Sequence, residues 1–357
     1  MNQNQNTARN PFTLSFGTSP MEYIARIEEK SRLVSQIEKE PPLSHCFVIT
    51  GLRGSGKTII LNSVSESFRE SDDWIIIEVN PEDDMREALA AKLYTAGKIK
   101  RFFLEKKFSV SFKGISFSLT GKNPVLNIDD LLERMLSIVK KEGKKVLVLI
   151  DEVSSTQKMK QFALSFQILI RNGLPLFLLA TGLFKNISSL ENEKNLTFLS
   201  RAPKLFLSPL NLSGIASSYE KTIGTSPEES LHYAKLTKGY AFSFQLLGYL
   251  LFEKKEDEDE KSLLRQYDQY LAEYVYRKVW SSLSPTEQKL LRSFRTNGSI
   301  NVKDILERND ITKEYFSRYR DRLLKNGVLI SPARGTLAFA LPRFKEFIDA
   351  DSYEDQP

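Results

Sequence analysis

Between residues 45 and 208, short unbroken apolar runs alternate with amphipathic stretches. The apolar runs predict strands over residues 46–50, 74–79, 145–150, 175–181 and 204–207. Apolar residues at helical spacing predict helices over residues 21–39, 57–69, 84–96, 128–141 and 155–171. Runs without polar alternation are typical of strands buried on both faces, and strands that alternate with helices favour a parallel sheet with crossover helices. We therefore expect an α/β domain over residues 21–210, preceded by a flexible segment over residues 1–20.

The pattern becomes helical after residue 210. Helical periodicity over residues 213–223, 227–237, 240–252 and 262–280 predicts a helical domain that spans residues 211–280. Further helices are predicted over residues 285–296, 302–308 and 313–325, followed by two short strands over residues 328–331 and 336–340. This order predicts a helix-turn-helix with a β wing over residues 281–350, and residues 351–357 form an acidic tail.

One segment interrupts the α/β rhythm. Residues 108–112 and 115–119 alternate strictly between apolar and polar around Lys113-Gly114, which is a hairpin signal. Two interpretations stay open for this insertion: a structural decoration of the domain, or an apolar face that binds a partner.

Composition excludes several classes of protein. The 357 residues are 41% hydrophobic and 27% charged, a balance that excludes wholesale disorder. The single cysteine, Cys46, excludes an internal disulfide, and with only two histidines a zinc or haem site is not expected. No apolar run approaches the roughly 20 residues of a membrane span, and residues 1–12 lack the apolar core of a signal peptide. We therefore expect a cytoplasmic protein without a membrane partner.

A glycine-rich motif follows the first predicted strand and opens a helix. It fits G-x-x-x-x-G-K-[ST] and consists of Gly51, Leu52, Arg53, Gly54, Ser55, Gly56, Lys57 and Thr58. Glycines let the backbone wrap around phosphates, and backbone N–H groups at a helix start bind the anion. Lys57 is predicted to reach the β- and γ-phosphates of ATP, and the Thr58 hydroxyl to ligate Mg²⁺.

Two further strands end in groups suited to ATP hydrolysis. The strand over residues 145–150 ends in Asp151 and Glu152, at the sheet edge where α/β proteins bind ligands. Asp151 suits the Mg²⁺ shell, and Glu152 can polarise the attacking water. The strand over residues 175–181 ends in Thr181, which on a parallel sheet is expected to stand beside Asp151 and to bond the water or the γ-phosphate.

These strand ends, in this order and followed by a helical domain, resemble the AAA+ ATPases, and more closely their origin-recognition branch of replication initiators, in its bacterial and archaeal members. Further stretches that carry the resemblance are Asn10-Pro11-Phe12, Ala180-Thr181-Gly182, Phe198-Leu199-Ser200-Arg201-Ala202, Leu207-Ser208-Pro209-Leu210, Gly239-Tyr240 and Gln245-Leu246-Leu247. The resemblance implies a P-loop AAA+ parallel sheet, a helical lid and a C-terminal winged helix. It also implies that Glu152, Lys57 and Thr181 serve catalysis.

The resemblance implies two more features. Arg201 takes the position of an arginine finger that acts on a neighbouring subunit's nucleotide, with self-association through the ATP interface; the alternative is an ordinary surface arginine in a salt bridge. Many relatives carry a sensor arginine shortly after a glycine of the lid, but residues 239–244 contain none.

Net charge is +6, and residues 277–349 carry 15 basic against 8 acidic residues. Lys313, Arg318, Arg320, Arg322 and Lys325 lie on the predicted recognition helix, and Arg334 lies at the wing tip. Such a helix suits the major groove of double-stranded DNA. Two functions remain open: an ATP-hydrolysing switch that binds DNA, or a signalling or defence NTPase whose basic domain binds a protein partner.

Overall fold

A computed structural model of the chain describes residues 9–15, 20–105, 108–110, 117–119, 127–255 and 257–354. By their contacts the residues form two compact units. The α/β unit comprises Arg26–Gly51 and Lys57–Leu207, and the C-terminal unit comprises Met1–Ala25, Leu52–Gly56 and Ser208–Pro357. Within the described ranges, no helix combines the length and the apolar character needed to cross a membrane.

The α/β unit is built on a parallel sheet. Its strands, in chain order, are β1 (Cys46–Thr50), β2 (Trp74–Glu78), β3 (Phe108–Val110), β4 (Phe117–Leu119), β5 (Lys145–Ile150), β6 (Leu176–Gly182) and β7 (Lys204–Phe206). Five of them pair in the order β2-β5-β6-β1-β7, all parallel. Strands β1 and β6 are buried along their whole length, which is why their sequences lack polar alternation. The predicted parallel sheet is confirmed.

Helices cover both faces of this sheet. They are α1 (Ile27–Glu38), α2 (Lys57–Arg69), α3 (Met85–Thr95), α4 (Lys100–Glu105), α5 (Ile128–Lys141), α6 (Gln157–Arg171), α7 (Phe184–Glu191) and α8 (Thr197–Ser200). One apolar core includes residues of α3, α5 and α6, and the other includes residues of α1 and α2. Asp84, Asn127 and Thr156 each accept backbone N–H groups at the start of a helix, which fixes where α3, α5 and α6 begin.

The first helix begins later than its periodicity predicts. We expected it from residue 21, but α1 starts at Ile27. The reason is that Ile24 packs against the apolar core of the C-terminal unit, whereas Leu33 and Ile37 are buried in the α/β unit. The apolar positions that look like one helical stripe therefore belong to two cores.

Strands β3 and β4 pair antiparallel, with Phe108 opposite Leu119 and Val110 opposite Phe117. This pairing is the one that the alternation predicts for a hairpin. The intervening residues 111–116 lie outside the described residues.

The C-terminal unit contains the remaining helices and a small sheet. The helices are α9 (Leu212–Ile223), α10 (Pro227–Leu236), α11 (Ala241–Glu253), α12 (Glu260–Leu271), α13 (Arg277–Ser281), α14 (Pro285–Arg292), α15 (Val302–Asn309), α16 (Lys313–Lys325) and α17 (Phe344–Glu354), with a π-helical turn (Ala272–Tyr276) between α12 and α13. Strands β8 (Ile300–Asn301), β9 (Leu329–Ile330) and β10 (Thr336–Phe339) form an antiparallel sheet in the order β8-β10-β9. The predicted winged helix, residues 281–350, contains this sheet together with helices α14, α15 and α16. The assignment as a winged helix stays a prediction.

Part of the N-terminal stretch that we expected to be flexible is packed. Phe12 is 2% exposed and contacts the rings of Tyr219 and Phe244 edge-on. The Asn10 amide donates to the carbonyl of Tyr249. Because a ring of this size gains about 1.5–3 kcal/mol when it is buried, Phe12 is an adequate anchor for a short polar segment. Similarly, residues 351–354 of the predicted acidic tail continue helix α17.

Candidate functional site

The glycine-rich loop joins the end of β1 to the start of α2. Gly54 and Gly56 have φ angles of 73° and 91°, a conformation that favours glycine. The Ser55 N–H donates to the carbonyl of Leu52 at 3.2 Å, which closes a turn. The loop thus has the backbone that the motif predicts, and its two inner glycines are required by their dihedral angles.

Lys57 and Thr58 open helix α2 directly after the loop. The Lys57 side chain is buried, and its Nζ donates to the Gly51 carbonyl at 3.2 Å. The Thr58 hydroxyl donates to Oδ2 of Asp151 at 2.7 Å. A helix start therefore joins the end of strand β5, although these residues are far apart in the sequence.

Thr181 bonds the other oxygen of the same carboxylate. Its hydroxyl donates to Oδ1 of Asp151, and the backbone N–H of Glu152 donates to that hydroxyl at 3.0 Å. Thr181 is fully buried on β6, which lies between β1 and β5. Asp151 is thus held between two threonine hydroxyls, one on a helix and one on the neighbouring strand. Sequence reasoning placed Thr181 beside Asp151, and the structure brings the two together.

Glu152 follows Asp151 in an unusual backbone conformation. Its φ angle is 56°, in the left-handed region that a non-glycine residue rarely adopts. Such a residue costs about 1–3 kcal/mol and persists where its surroundings hold it. Here the Glu152 N–H bonds Thr181 and the next N–H, of Val153, donates to the Thr181 carbonyl at 2.8 Å. The side chain of Glu152 is exposed at this turn.

Arg201 lies elsewhere on the α/β unit. It lines a cleft of about 280 Å³ together with His45, Cys46 and Phe198. Cys46 begins β1, whereas Lys57 follows the other end of that strand. The structure therefore does not bring Arg201 together with Lys57 and Asp151. Burial raises the pKa of the Cys46 thiol to about 12, so this cysteine is not a nucleophile at neutral pH.

The basic residues of α16 differ in their surroundings. Lys313, Arg318 and Lys325 are exposed, as is Arg334 between β9 and β10. Arg322 is also exposed, but its Nε lies 3.2 Å from Oε1 of the buried Glu287, and Nη1 of Arg320 lies 3.6 Å from its neighbour Asp321.

Acidic side chains lie among these bases. Glu314 and Asp321 are also exposed on α16, on the side opposite the buried Phe316 and Leu323. The exposed face of the helix is therefore of mixed charge.

Two residues that contact the glycine-rich loop were not predicted from the sequence. Tyr240 donates its hydroxyl to the Arg53 carbonyl, and the backbone N–H of Phe242 donates to the Gly54 carbonyl at 2.9 Å. The sequence offers little signal for either contact, since one donor is a backbone group and the tyrosine lies 187 positions from Arg53.

Comparison with known proteins identifies similar families and a similar fold. Residues 23–174 match the family model of an ATPase domain predominantly from Archaea, and residues 273–348 match a domain of unknown function, DUF8462. No curated protein matches the chain. The fold is that of the AAA+ P-loop ATPases, a parallel sheet with flanking helices followed by a C-terminal domain.

Among solved structures, the chain is similar to the Aeropyrum pernix ORC2 protein in its ADPNP-ADP complexes. The TM-score is 0.58 at 16% identity, over 96% of this chain and 98% of that one. The ADP form of the same protein gives a TM-score of 0.50 at 18% identity, over the same shares of 96% and 98%. The predicted resemblance to the origin-recognition branch is thereby confirmed at the level of the fold.

Proposed function

We propose that this protein is an ATP-hydrolysing AAA+ switch that binds double-stranded DNA through its C-terminal module, residues 281–350. The nucleotide state would control assembly. The observation that carries the proposal is the contact of Thr58 and Thr181 with the two oxygens of Asp151. A glycine-rich loop alone would account for anion binding. The Thr58 hydroxyl and the Asp151 carboxylate, which meet at 2.7 Å, are the kind of oxygen donors that suit the magnesium ion of a nucleotide.

The residues of the loop take separate roles in this proposal. Backbone N–H groups of residues 51–58 bind the phosphate oxygens, and the dipole of α2 favours the negative charge. Lys57 would leave the Gly51 carbonyl to bond the β- and γ-phosphates. The hard oxygen donors Thr58 and Asp151 fit Mg²⁺, which when bound neutralises charge on the phosphates.

Hydrolysis requires a group that orients water. Glu152 is exposed at the end of β5, next to the carboxylate that is held by Thr58 and Thr181. We assign it the role of a general base that polarises the water attacking the γ-phosphate, because it is a carboxylate at this edge of the sheet. Thr181 holds the Asp151 carboxylate and the Glu152 backbone in fixed positions relative to each other, because its hydroxyl bonds both.

Arg201 is proposed to act on the nucleotide of a neighbouring subunit. It lies beside Cys46 at the start of β1, and the five residues of this strand separate it from the loop by roughly 16 Å. An arginine side chain does not span that distance, so Arg201 serves either a neighbour's site or no nucleotide at all. A role at a neighbour's site would require self-association through the ATP interface.

DNA binding is proposed for the exposed bases of the C-terminal module. Lys313, Arg318 and Lys325 lie on α16, and Arg334 lies in the turn between β9 and β10. The module also carries the positive excess of the chain. Contacts of such side chains with phosphates would make the affinity depend steeply on salt.

A specific observation also favours the second candidate function, a signalling or defence NTPase whose C-terminal domain binds a protein. Glu314 and Asp321 lie on the exposed face of α16, and Arg322 is engaged by Glu287. Acidic groups on a recognition helix repel DNA phosphates but suit a protein surface of mixed charge.

Two measurements test the proposal. ADP binding and phosphate release are compared for the wild type, Lys57→Ala, Glu152→Gln and the control Lys303→Ala, whose side chain is 84% exposed. Lys57→Ala should abolish nucleotide binding, and Glu152→Gln should bind but hydrolyse at least about 100-fold more slowly. Unchanged ADP affinity in Lys57→Ala would refute the assignment of the loop.

DNA binding is measured by mobility shift between about 50 and 200 mM salt, where phosphate contacts predict a linear fall of log affinity with log salt. Absence of a shift at physiological salt would favour the protein-binding alternative.

A further inference from the structure

Groups at the start of α11 donate hydrogen bonds to two backbone carbonyls of the glycine-rich loop. The Tyr240 hydroxyl donates to the Arg53 carbonyl, and the Phe242 N–H donates to the Gly54 carbonyl at 2.9 Å. The Phe242 N–H lies in the first helical turn, where backbone donors have no partner within the helix. The loop carbonyl supplies that partner. Accordingly, residues 52–56 cluster with the C-terminal unit.

The approach is close enough to restrict both sides. Gly54 has a φ angle of 73°, and a Cβ atom there would lie 2.9 Å from Cβ of Phe242 and would collide with the Tyr240 hydroxyl. Tyr240 is 7% exposed, and burial raises the pKa of its phenol far above its usual range, so the hydroxyl remains a donor at every physiological pH. Only glycine fits between this tyrosine and the loop.

The direction of these bonds suits a phosphate-binding loop. In a trans peptide unit the carbonyl and the N–H point to opposite sides. The bond from Tyr240 to Arg53 therefore turns the Gly54 N–H away from Tyr240. The bond from Phe242 fixes the next peptide unit, whose Ser55 N–H donates to the Leu52 carbonyl within the loop. Since such loops bind anions through N–H groups, the contacts with α11 use the carbonyls of Arg53 and Gly54 and leave the Gly54 N–H directed away from α11, where a phosphate could accept it.

The same short segment contacts the C-terminal module at its other end. Lys238 has a φ angle of 49°, and its Nζ donates to the carbonyls of Asn297 and Phe339 at 3.2 and 3.0 Å. Burial lowers the pKa of this amine. Between these ends, the Gly239 carbonyl accepts the N–H of Leu210 at 2.7 Å.

We propose that residues 238–242 form a latch that positions the glycine-rich loop for the phosphates and joins it to the C-terminal module. Tyr240 is the positioning residue at the loop, and Lys238 is the connection to β10. The proposal rests on the proposed function, because it takes the loop to be the phosphate site. In this proposal the conformation of the loop, and not the charge of a side chain in residues 239–244, would connect a bound nucleotide to the C-terminal module.

The test compares two tyrosines that make the same kind of bond. Tyr276 is 1% exposed and donates its hydroxyl to the Pro342 carbonyl rather than to a carbonyl of the loop, so Tyr276→Phe is the matched control for Tyr240→Phe. Each change removes one buried hydroxyl and leaves one carbonyl without that donor. We expect the Kd for ADP to rise about tenfold in Tyr240→Phe and by less than about twofold in Tyr276→Phe, at similar thermal stability.

The outcomes separate the two proposals. A wild type that binds no ADP refutes the proposed function and the latch together. Where the wild type binds ADP and Lys57→Ala does not, an unchanged or tighter affinity in Tyr240→Phe refutes the latch alone. Equal weakening in Tyr240→Phe and Tyr276→Phe also refutes it, because a general loss of stability would then explain both.

The connection to the C-terminal module has its own readout. Amide hydrogen exchange is followed at β10 (Thr336–Phe339) with and without ADP and Mg²⁺ in the wild type and in Lys238→Met, a change that keeps the side-chain length and removes its donors. We expect ADP to slow exchange at β10 in the wild type, and this protection to be lost in Lys238→Met although ADP still binds. Protection that persists in Lys238→Met, or is absent in the ADP-bound wild type, contradicts the connection.

Discussion

Thr58 donates a 2.7 Å hydrogen bond to Asp151 across 93 positions of the sequence. The bond joins the first turn of α2, the helix that follows β1, to the residue that follows β5, and strand β6 lies between β1 and β5 in the sheet. Its partners are the two groups suited to one magnesium ion. The fold itself therefore brings the two oxygen donors together, and substitution of the Thr58 hydroxyl tests whether they act in catalysis.

Thr58→Val removes the hydroxyl and nearly keeps the volume. We expect ATP turnover to fall at least tenfold, about 1.4 kcal/mol or more of transition-state stabilisation, since the isostere neither bonds Asp151 nor ligates a metal. Thr58→Ser keeps the hydroxyl and should restore most of the activity. Steady-state phosphate release at saturating ATP and Mg²⁺ measures both variants.

Thr95→Val is the matched control for this prediction. The Thr95 hydroxyl is exposed and bonds carbonyls of its own helix, those of Ala91 and Lys92. Turnover should be unchanged in this variant. Full activity in Thr58→Val would show that the hydroxyl of Thr58 has no part in catalysis.

The backbone of Glu152 predicts an opposition between stability and activity. Its φ angle of 56° is unfavourable for any residue with a Cβ, whereas glycine adopts it freely. Glu152→Gly should therefore raise the free energy of unfolding by about 1 kcal/mol while ATP hydrolysis is lost. Thermal or denaturant unfolding alongside a turnover assay measures the two effects.

Glu152→Ala separates the two causes, since it removes the carboxylate and keeps the Cβ. It should lose hydrolysis without the gain in stability. A Glu152→Gly variant that is no more stable than Glu152→Ala would show that this turn stores no strain.

Arg201 gives a prediction that depends on assembly. Arg201→Ala should bind ADP like the wild type, because its own Lys57 and Asp151 are intact. It should hydrolyse ATP slowly, because no neighbouring subunit supplies the arginine. Glu152→Gln should be inactive because it lacks the carboxylate that polarises water, although its Arg201 is intact. Mixing the two inactive variants should restore part of the activity, because an Arg201 of one subunit then meets a Glu152 of the other. Activity in the mixture that does not exceed the sum of the separate variants argues against a role in trans.

Local chemistry explains which parts of the fold and the site the sequence could predict. Strands β1, β5 and β6 are unbroken apolar runs, and the loop at residues 51–58 is specified by its own glycines. Asp151 and Thr181 could be placed together because parallel strands end at one edge. Each of these inferences needs only a short window of sequence and the geometry of a sheet.

Contacts between distant elements could not be predicted in this way. The bond of Tyr240 with Arg53 spans 187 positions, and that of Arg322 with Glu287 spans 35. Each depends on tertiary packing that periodicity does not encode. Helix α17 is a different case, because Phe344, Phe347 and Ile348 have helical spacing and are buried, but the acidic residues that follow concealed the pattern.

Arg318 and Arg322 lie one turn apart on α16 and are predicted to differ in role. Arg318 is exposed, whereas Nε of Arg322 lies 3.2 Å from a carboxylate oxygen of Glu287, whose side chain is 1% exposed. Removing Arg322 leaves a buried charge without its counterion, so Arg322→Ala should lower the free energy of unfolding by about 1–3 kcal/mol. Arg318→Ala should leave stability unchanged and weaken DNA binding, with a shallower salt dependence by about one counterion.

The double change Glu287→Gln with Arg322→Ala distinguishes an ion pair from a DNA contact at Arg322. If Arg322 serves stability, neutralising Glu287 relieves the unpaired charge, and the double variant should unfold at a higher denaturant concentration than Arg322→Ala alone. Its DNA affinity should equal that of the wild type. If Arg322 instead binds DNA phosphates, the double variant regains stability but not affinity, and the basic surface of α16 is then wider than the ion pair with Glu287 indicates.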